Sequence, residues 1–300
     1  MKVLIAGGNG LIGSRLAALI REQGGTVSVL TRRVGGVGAD GTRRVQWDGR
    51  NPGEWQVELE GAEALVNLAG GNLGAGAWSP RRKAALLASR VDSTRALAQA
   101  ALAAKKPPRV FMQASAIGFY GSHGDEPLDE QSPLGSGFLA DICQAWEAEA
   151  APVKSAGIRL VTIRTGLVLD KNEGALGRML LPYRFFIGGP LGSGRQWYSW
   201  IHPQDQVEAM LFLLKQETLS GVFNLTAPNP LPQDKFGRAL ANTLRRPHWL
   251  PVPAFALRLL LGEMSSLVLE GQKVLPSRLL QAGYAFRHPN LDGALRELLQ

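Results

Sequence analysis

Apolar runs alternate with amphipathic segments through the first half of the chain. The runs predict strands, and the amphipathic segments have the apolar spacing of helices. The predicted strands are Lys2–Ala6, Thr26–Thr31, Ala64–Leu68, Arg109–Ala114 and Arg159–Arg164, and the predicted helices are Gly13–Gln23, Arg82–Ala104 and Phe138–Ala150. This alternation predicts an α/β fold, a Rossmann-type doubly wound parallel sheet covered on both faces. Right-handed crossovers place the carboxyl ends of all strands at one edge, where ligands bind.

The pattern changes near residue 170. Asn172–Gly194 is rich in glycine and proline, and strand–helix alternation is not resumed after a last strand at Gly221–Leu225 and an apolar helix at Ala254–Leu261. We therefore predict two parts. Residues 1–169 and 199–226 form the Rossmann domain, and residues 170–198 and 227–300 form a smaller C-terminal domain that covers the ligand edge.

Composition narrows the class of protein. Hydrophobic residues make up 45% of the 300 residues and charged residues 19%, as in ordinary folded globular proteins. The single cysteine excludes an internal disulfide framework and indicates a reducing compartment. The first apolar run ends at glycine after five residues, Val3 to Gly7, which is too short for a signal peptide or a membrane span. We expect a cytoplasmic protein with no membrane partner.

The chain carries a net charge of +8, but its basic residues are mostly scattered or paired, with no long run. No nucleic-acid-binding module is recognisable, so a phosphate-rich cofactor explains the charge more simply than nucleic acid does. His, Asp and Glu show no metal-ligand spacing, and no metal is predicted. The chain is expected to be a monomer or a homodimer.

A glycine pattern follows the first strand and opens the first helix. Gly7 permits a tight turn, Gly10 lets the backbone approach a pyrophosphate, and Gly13 allows the helix to pack closely on the strand. The unpaired N–H groups of the helix terminus then face the phosphates. The sequence therefore predicts a dinucleotide site, whose other loop residues are Asn9, Leu11 and Ile12.

The end of the second strand indicates which dinucleotide binds. An NAD site usually has an acid there, whereas this chain has Thr31 followed by Arg32 and Arg33. Guanidinium groups suit a 2′-phosphate, so the predicted cofactor is NADP(H). The alternative is that both arginines are solvated loop residues.

Several segments are similar to the extended short-chain dehydrogenases/reductases, the superfamily of nucleotide-sugar epimerases and dehydratases. They are AGGNGLIG, NLAG (Asn67–Gly70), SAIGFYG (Ser115–Gly121) and RTGLVL (Arg164–Leu169). More narrowly, GGPLGSGRQWYSWIHPQD, GVFNLTAPNP and LPVPAFALRLLLGEM resemble the "epimerase family protein" group, whose members end in a domain of unknown function. The resemblance covers essentially the whole chain.

The resemblance implies further cofactor contacts. Leu68, Ala69 and Gly70 would line the cofactor, Arg90 would point toward its phosphates, and Val168 would approach the nicotinamide carboxamide through its backbone. The alternatives are plain core packing for Leu68 and Val168, and a salt bridge on the helix face for Arg90.

Active members of the superfamily carry a Tyr-x-x-x-Lys pair on the helix that corresponds to FLADICQAWEAEA. Here the count from Glu147 places Leu139 and Cys143 at the two positions, so the usual proton-transfer pair is missing. Cys143 has apolar neighbours and is expected to be inert packing. Tyr120 is then the first candidate for a catalytic proton donor and Ser115 the second. For His202, a cap at the start of a helix is favoured over catalysis.

Two functions of different classes remain open. The first is an NADP(H)-dependent oxidoreductase of the extended short-chain type, acting on an unknown small organic substrate held by the substrate-side domain. The second is a non-catalytic NADP(H)-binding sensor or regulatory protein, which the missing tyrosine and lysine favour. A nucleotide-sugar epimerase or dehydratase is a further alternative, but epimerisation needs the proton relay that this chain lacks.

Overall fold

The computed structural model describes residues 1–33 and 35–300. The strands are β1 Lys2–Ala6, β2 Thr26–Thr31, β3 Gly36–Val37, β4 Arg43–Gln46, β5 Ala64–Asn67, β6 Val110–Ala116, β7 Pro127–Leu128, β8 Arg159–Thr165, β9 Leu167–Val168, β10 Trp197–Tyr198, β11 Trp200–Ile201, β12 Gly221–Leu225, β13 Leu231–Pro232 and β14 Lys273–Val274. The helices are α1 Leu11–Glu22, α2 Pro80–Ala103, α3 Phe138–Ala150, α4 Gly174–Arg184, α5 Pro203–Lys215, α6 Gln233–Leu244, α7 Ala254–Leu261, α8 Ser266–Leu269, α9 Ser277–Gln281 and α10 Leu291–Leu299.

The central sheet has the strand order β12-β8-β6-β5-β1-β2-β4-β3. Its strands pair in parallel except for the edge pair β3–β4, which is antiparallel. The chain winds outward from β1 in both directions, so the strand order reverses between β1 and β5. The predicted α/β fold with a doubly wound Rossmann-type sheet is confirmed. The crevice outside the carboxyl ends of β1 and β5 is where such sheets bind dinucleotides.

Each face of the sheet carries its own core. Because successive residues of a strand point to opposite faces, Val3 and Ile5 of β1 join one apolar cluster, while Leu4 and Ala6 join the other. Helices α1 and α5 cover the first face, and α2 covers the second. Both faces are therefore dry, which explains why the strand sequences are continuous apolar runs rather than alternating ones.

A third core holds the C-terminal half together. Leu180 of α4, Phe236 of α6 and Leu295 of α10 pack around Tyr198 and Trp200. These elements belong mostly to the predicted second domain. However, Leu279 and Tyr284 pack into the first core beside α5, so the last part of the chain also braces the Rossmann sheet. The division into two domains stays a prediction.

Predicted and observed elements agree where the apolar pattern is long. Lys2–Ala6, Thr26–Thr31, Phe138–Ala150, Gly221–Leu225 and Ala254–Leu261 have the predicted bounds. The sequence did not predict β4, because its residues RRVQ form a short polar strand beside the edge strand β3. It also did not predict α4, a helix that contains Gly177 and Pro182. There the apolar side chains that pack in the third core outweigh weak helix propensity.

Candidate functional site

The glycine loop has the close packing that a dinucleotide site requires. Gly7 has φ +80°, and a Cβ on it would lie 2.6 Å from the carbonyl oxygen of Leu68. A Cβ on Gly13 would lie 2.4 Å from the carbonyl oxygen of Gly7. Gly10 precedes the first residue of α1, whose first turn has no acidic residue. The open N-terminus of α1 therefore faces the crevice with its dipole uncompensated, as anion binding favours.

Thr31 links the glycine loop to the end of β2. Its buried hydroxyl accepts hydrogen bonds from Asn9 Nδ2 at 3.0 Å and from the backbone N–H of Arg33 at 3.2 Å. The side chains of Arg32 and Arg33 are exposed. Within the described residues neither arginine forms an ion pair, and no carboxylate holds them. The two guanidinium groups are therefore available to an anion beside the glycine loop.

The buried side-chain amide of Asn67, the last residue of β5, fixes the start of the loop that follows this strand. Asn67 Nδ2 donates to Thr94 Oγ1 at 2.8 Å and to Gln113 Oε1 at 3.0 Å. Its Oδ1 accepts from the N–H of Ala69 at 3.1 Å, while Leu68 N–H continues the ladder to Ala6 at 2.8 Å. Leu68 and Ala69 are half-buried and Gly70 is exposed. The predicted cofactor-lining segment thus lies at the strand edge beside Gly7.

The observed contacts of Arg90 are made within the protein. Its guanidinium donates to the carbonyls of Leu86 and Gly71, each at 3.1 Å, and lies 5.0 Å from the ring centroid of Trp146. It forms no salt bridge on the helix face among the described residues. Burial lowers the pKa of Arg90. Contact with cofactor phosphates stays a prediction, since the observed partners are the loop after β5 and helix α3.

Val168 ends β9, which pairs in parallel with β11 and places Val168 opposite Ile201. Val168 is half-buried against the first core, as its alternative interpretation expects. Two residues later, Asp170 accepts from Arg15 of α1 at 2.7 Å and from the N–H groups of Asn172 and Glu173. Burial alone would raise the pKa of Asp170, but these donors lower it below its ordinary value. The segment after β9 is thereby tied to the helix that begins at the glycine loop.

A closed polar network lies behind the predicted catalytic residues. Ser115 Oγ donates to Glu147 Oε1 at 2.6 Å. Arg164 binds the same carboxylate with two bonds of 2.9 Å, and its guanidinium lies 3.2 Å from the ring centroid of Phe119. Although burial opposes its charge, the bonds to Glu147 raise the pKa of Arg164. The network joins β6, α3 and β8 at the carboxyl edge of the sheet.

Tyr120 is the next member of this network and is fully buried. Its hydroxyl donates to Asn224 Oδ1 at 2.7 Å and accepts from Arg164 Nη1 at 3.1 Å. Burial raises the pKa of Tyr120. The structure thus surrounds the first sequence candidate for proton donation with protein, which disfavours contact with a substrate. Ser115 is also buried, and it lies next to the last residue of β6, at the carboxyl edge of the sheet.

Helix α3 places Leu139 and Cys143 on one face, against the turn that follows β6. The Cys143 thiol lies 3.6 Å from the carbonyl oxygen of Ala116. Burial raises the pKa of this thiol to about 11. A thiol with that pKa is protonated and unreactive near neutral pH, so the structure favours Cys143 as packing and disfavours it as a nucleophile.

His202 caps α5, as the sequence predicts, with Nδ1 accepting from the N–H of Gln204 at 3.2 Å. The fold also brings His288 and Glu297 to it, with His202 Nε2 3.8 Å and His288 Nε2 3.1 Å from the carboxylate. Burial lowers the pKa of His202 to about 4. Because Nδ1 accepts, the proton of the neutral ring is on Nε2, which makes no hydrogen bond among the described residues. A protonated Nε2 has no lone pair to offer a metal.

An apolar cavity of about 70 Å³ lies wholly within the predicted substrate-side residues. Tyr183 and Gln233 are among its few polar contributors. The remaining lining residues are Met179, Pro182, Ile187, Gly189, Leu191, Tyr198, Phe236, Gly237, Leu240 and Val252. Among the described helices, none is both long and apolar enough to cross a membrane.

Comparison with known proteins identifies both parts of the chain. The family model described as the NAD-dependent epimerase/dehydratase family matches residues 3–226. A model described as a domain of unknown function matches residues 252–298. Epimerase family proteins of Staphylococcus aureus (strain MRSA252) and Bacillus subtilis (strain 168) are 39% and 36% identical. The alignments cover 99% and 100% of this chain and 98% of each relative.

Solved structures agree with this assignment. The human epimerase family protein SDR39U1 with NADPH is 33% identical, with a TM-score of 0.91 and 99% of both chains covered. A nucleoside-diphosphate sugar epimerase from Corynebacterium glutamicum is 31% identical, with a TM-score of 0.78 over 99% of this chain and 58% of that one. The UDP-N-acetylglucosamine 4-epimerase from Bacillus cereus, at 18% identity and a TM-score of 0.77, shares the fold.

Proposed function

Because the chain belongs to the NAD-dependent epimerase/dehydratase family, we propose that it is an NADP(H)-dependent oxidoreductase of the extended short-chain type, acting on a small organic substrate. One observation carries the choice of cofactor. Arg32 and Arg33 stand exposed at the end of β2, with no carboxylate partner among the described residues, beside a loop in which Gly7 and Gly13 leave no room for a Cβ. The similar human protein, whose structure contains NADPH, supports the same choice.

The cofactor assignment is tested by titrating NADPH and NADH by fluorescence. We expect NADPH to bind more tightly, and Arg32→Ala with Arg33→Ala to weaken NADPH by about thirtyfold while leaving NADH within about threefold, because charge-assisted bonds to the 2′-phosphate are lost. Arg50→Ala with Arg109→Ala removes two exposed arginines elsewhere and serves as the control. Equal affinity of the wild-type protein for both cofactors contradicts the assignment.

The residues at the strand edge support hydride transfer better than epimerisation. NADPH supplies a hydride when it is bound, so the protein has only to orient an acceptor and provide one proton. Epimerisation needs a proton relay at the substrate, and α3 offers Leu139 and the protonated thiol of Cys143 there. We assign the orienting role to Ser115, whose hydroxyl donates to Glu147 and retains a lone pair for a donor group of the substrate. Because the proton of Ser115 is engaged by Glu147, the proton that completes the alcohol comes from solvent water in this proposal.

The cavity supports a small substrate. Its volume of about 70 Å³ is far below the roughly 300 Å³ at which sites for drug-sized ligands begin, and its lining is apolar. A short apolar group fits this space, whereas a nucleotide sugar does not. We therefore assign the cavity to the apolar end of the substrate.

Turnover is tested by following NADPH oxidation against small aldehydes and ketones under single-turnover conditions. We expect one class to react, and Met179→Phe, which fills the cavity, to lower kcat/KM about tenfold while the NADPH affinity stays within twofold. Leu181→Phe lies on the same helix but is exposed, so it is the matched control. If Met179→Phe leaves kcat/KM unchanged, the cavity is not the substrate pocket.

The absence of the tyrosine–lysine pair favours the second candidate, a non-catalytic NADP(H) sensor. In that case NADPH raises the thermal unfolding midpoint, as any ligand of the native state does. The bound NADPH is then not oxidised by any carbonyl compound. The cofactor titration and the NADPH oxidation assay together therefore separate the enzyme from the sensor.

A further inference from the structure

Three arginines converge on the glycine-rich loop that follows β5. Arg90 donates to the carbonyl of Gly71 at 3.1 Å, and Arg82 donates to that of Asn72 at 2.7 Å. From the opposite side, Arg178 of α4 donates to the carbonyl of Gly74 at 2.9 Å. Three cations from two helices thus hold three carbonyls of one short loop. The loop continues directly from the predicted cofactor-lining segment.

In the part of the chain that the structure describes, these arginines have no acidic counter-ion. None of the three forms an ion pair within residues 1–33 and 35–300, whereas their neighbour Lys83 pairs with Glu263. The Cys143 thiol beside Arg90 is neutral because burial raises its pKa, and the charge of nearby Arg82 repels that of Arg90. Backbone carbonyls satisfy individual N–H groups but carry no net charge. The positive charge at this loop is therefore uncompensated by the protein.

Burial makes this imbalance costly. Arg90 is only 8% exposed, and taking an unpaired charge out of water is unfavourable. Arg82 Nε is buried without any hydrogen-bond partner. Arg90 uses two of its nitrogens for carbonyls, yet a guanidinium has five N–H donors. Donors remain in a planar arrangement that matches the two oxygens of a carboxylate or phosphate.

We propose that Arg82, Arg90 and Arg178 form a binding site for an anionic group of the substrate, a carboxylate or a phosphate. The proposal deepens the proposed function, since it takes the edge of the sheet beyond β5 as the substrate side. The substrate is then a small organic anion, with an apolar end for the cavity and a charged end for the arginines. Arg178 comes from the substrate-side residues and Arg82 and Arg90 from the Rossmann part, so the anion bridges the two.

The test uses inorganic phosphate as the probe and equilibrium binding as the readout, so it does not depend on turnover. Phosphate is titrated by calorimetry into protein saturated with NADPH, at constant ionic strength, so that the 2′-phosphate site is occupied. We expect saturable binding to the wild-type protein. Arg82→Gln and Arg178→Gln should each weaken phosphate by about tenfold or more, the usual effect of losing one charged hydrogen-bond pair.

Neighbouring arginines provide matched controls. Arg81→Gln on α2 and Arg184→Gln on α4 remove exposed charges from the same helices, and phosphate affinity should stay within twofold. Arg90 is buried, so Arg90→Lys is used, which keeps the charge, and thermal unfolding shows whether each variant folds. Unchanged phosphate affinity in folded Arg82→Gln and Arg178→Gln overturns the proposal.

One further outcome identifies a different source of the anion. If the same variants weaken NADPH by tenfold, and phosphate competes with NADPH, the arginines hold the cofactor pyrophosphate and the substrate assignment is wrong. If the variants weaken phosphate while NADPH and its preference over NADH are unchanged, the site belongs to the substrate. A protein that never turns over but still shows this second pattern keeps the anion site and loses only the oxidoreductase function.

Discussion

Tyr120 shows the difference between a residue's place in a motif and its surroundings. The motif SAIGFYG places it correctly at the edge of the sheet, just after β6. Its partners Arg164 and Asn224 lie far along the sequence on β8 and β12, so no local pattern announces that its hydroxyl is already engaged. The sequence could predict where this side chain lies, but not that protein encloses it.

We expect Tyr120→Phe to lower stability rather than catalysis. Removing the hydroxyl leaves Asn224 Oδ1 and one guanidinium nitrogen without a partner inside the protein, which costs about 1–3 kcal/mol. Urea unfolding measures this loss. Any reductase activity of the folded variant should stay within a few-fold of the wild type.

Ser115→Ala and Cys143→Ala are the comparison variants for Tyr120→Phe. If Ser115 orients the substrate, Ser115→Ala lowers kcat/KM without changing NADPH affinity, whereas Cys143→Ala leaves both within a few-fold. A stable Tyr120→Phe variant whose activity falls by about a hundredfold, the usual scale for a lost general acid, would restore Tyr120 as the proton donor.

Among the elements, the strand–loop–helix unit of β1 and α1 was predicted from its sequence, although α1 begins at Leu11 rather than at the predicted Gly13. The turn conformation of Gly7 and the contact of Gly13 with Gly7 are local, so the motif alone predicts them, whereas the close approach of Gly7 to Leu68 depends on packing. The arginine site at the loop after β5 is different. Arg178 reaches that loop from α4, a helix that the sequence hides behind glycine and proline. A site assembled from separate elements depends on packing that periodicity does not report.

Two glycine substitutions should have opposite effects. Gly13→Ala places a Cβ 2.4 Å from the carbonyl oxygen of Gly7, so α1 must move and cofactor binding is lost or weakened at least tenfold. Gly293→Ala lies inside α10 with open space around its Cβ position, and alanine should stabilise the helix by about 0.5–1 kcal/mol. Thermal unfolding and NADPH titration of both variants check this. Normal NADPH binding by Gly13→Ala would mean that the loop is not a cofactor cradle.

For the molecule as a whole, the pair Arg15–Asp170 joins the first turns of α1 to the chain after β9. It connects the predicted phosphate end of the site to the beginning of the substrate-side residues. Neither residue belongs to a motif, and they are 155 positions apart, so the sequence could not have paired them. Ion pairs between residues so far apart in sequence could not be predicted, because they depend on how the helices pack against the ends of the strands.

This pair predicts a pH dependence of stability. The pKa of Asp170 is lowered in the fold, so the stabilisation is complete above its ordinary pKa near 4 and is lost as the pH falls through the lowered value. Asp170→Asn should therefore cost about 1–3 kcal/mol at pH 7, and the difference from the wild type should shrink below pH 4. Denaturant unfolding across this pH range measures the difference in the free energy of unfolding. Glu22→Gln, which removes an exposed carboxylate from α1, is the control. A constant difference down to pH 2 contradicts the assignment.

The single cysteine allows local opening of the native structure to be measured. Cys143 is the chain's only thiol, and it lies buried between α3 and the turn after β6. A reagent such as Ellman's can label it only when that interface opens, so the labelling rate measures a local opening equilibrium rather than global unfolding. Once the interface is open, the thiol is exposed to water and reacts as an ordinary thiol, so slow labelling reports how seldom the interface opens. We expect NADPH to slow labelling further if the cofactor rests against α3, and to leave it unchanged if the cofactor stops at the glycine loop.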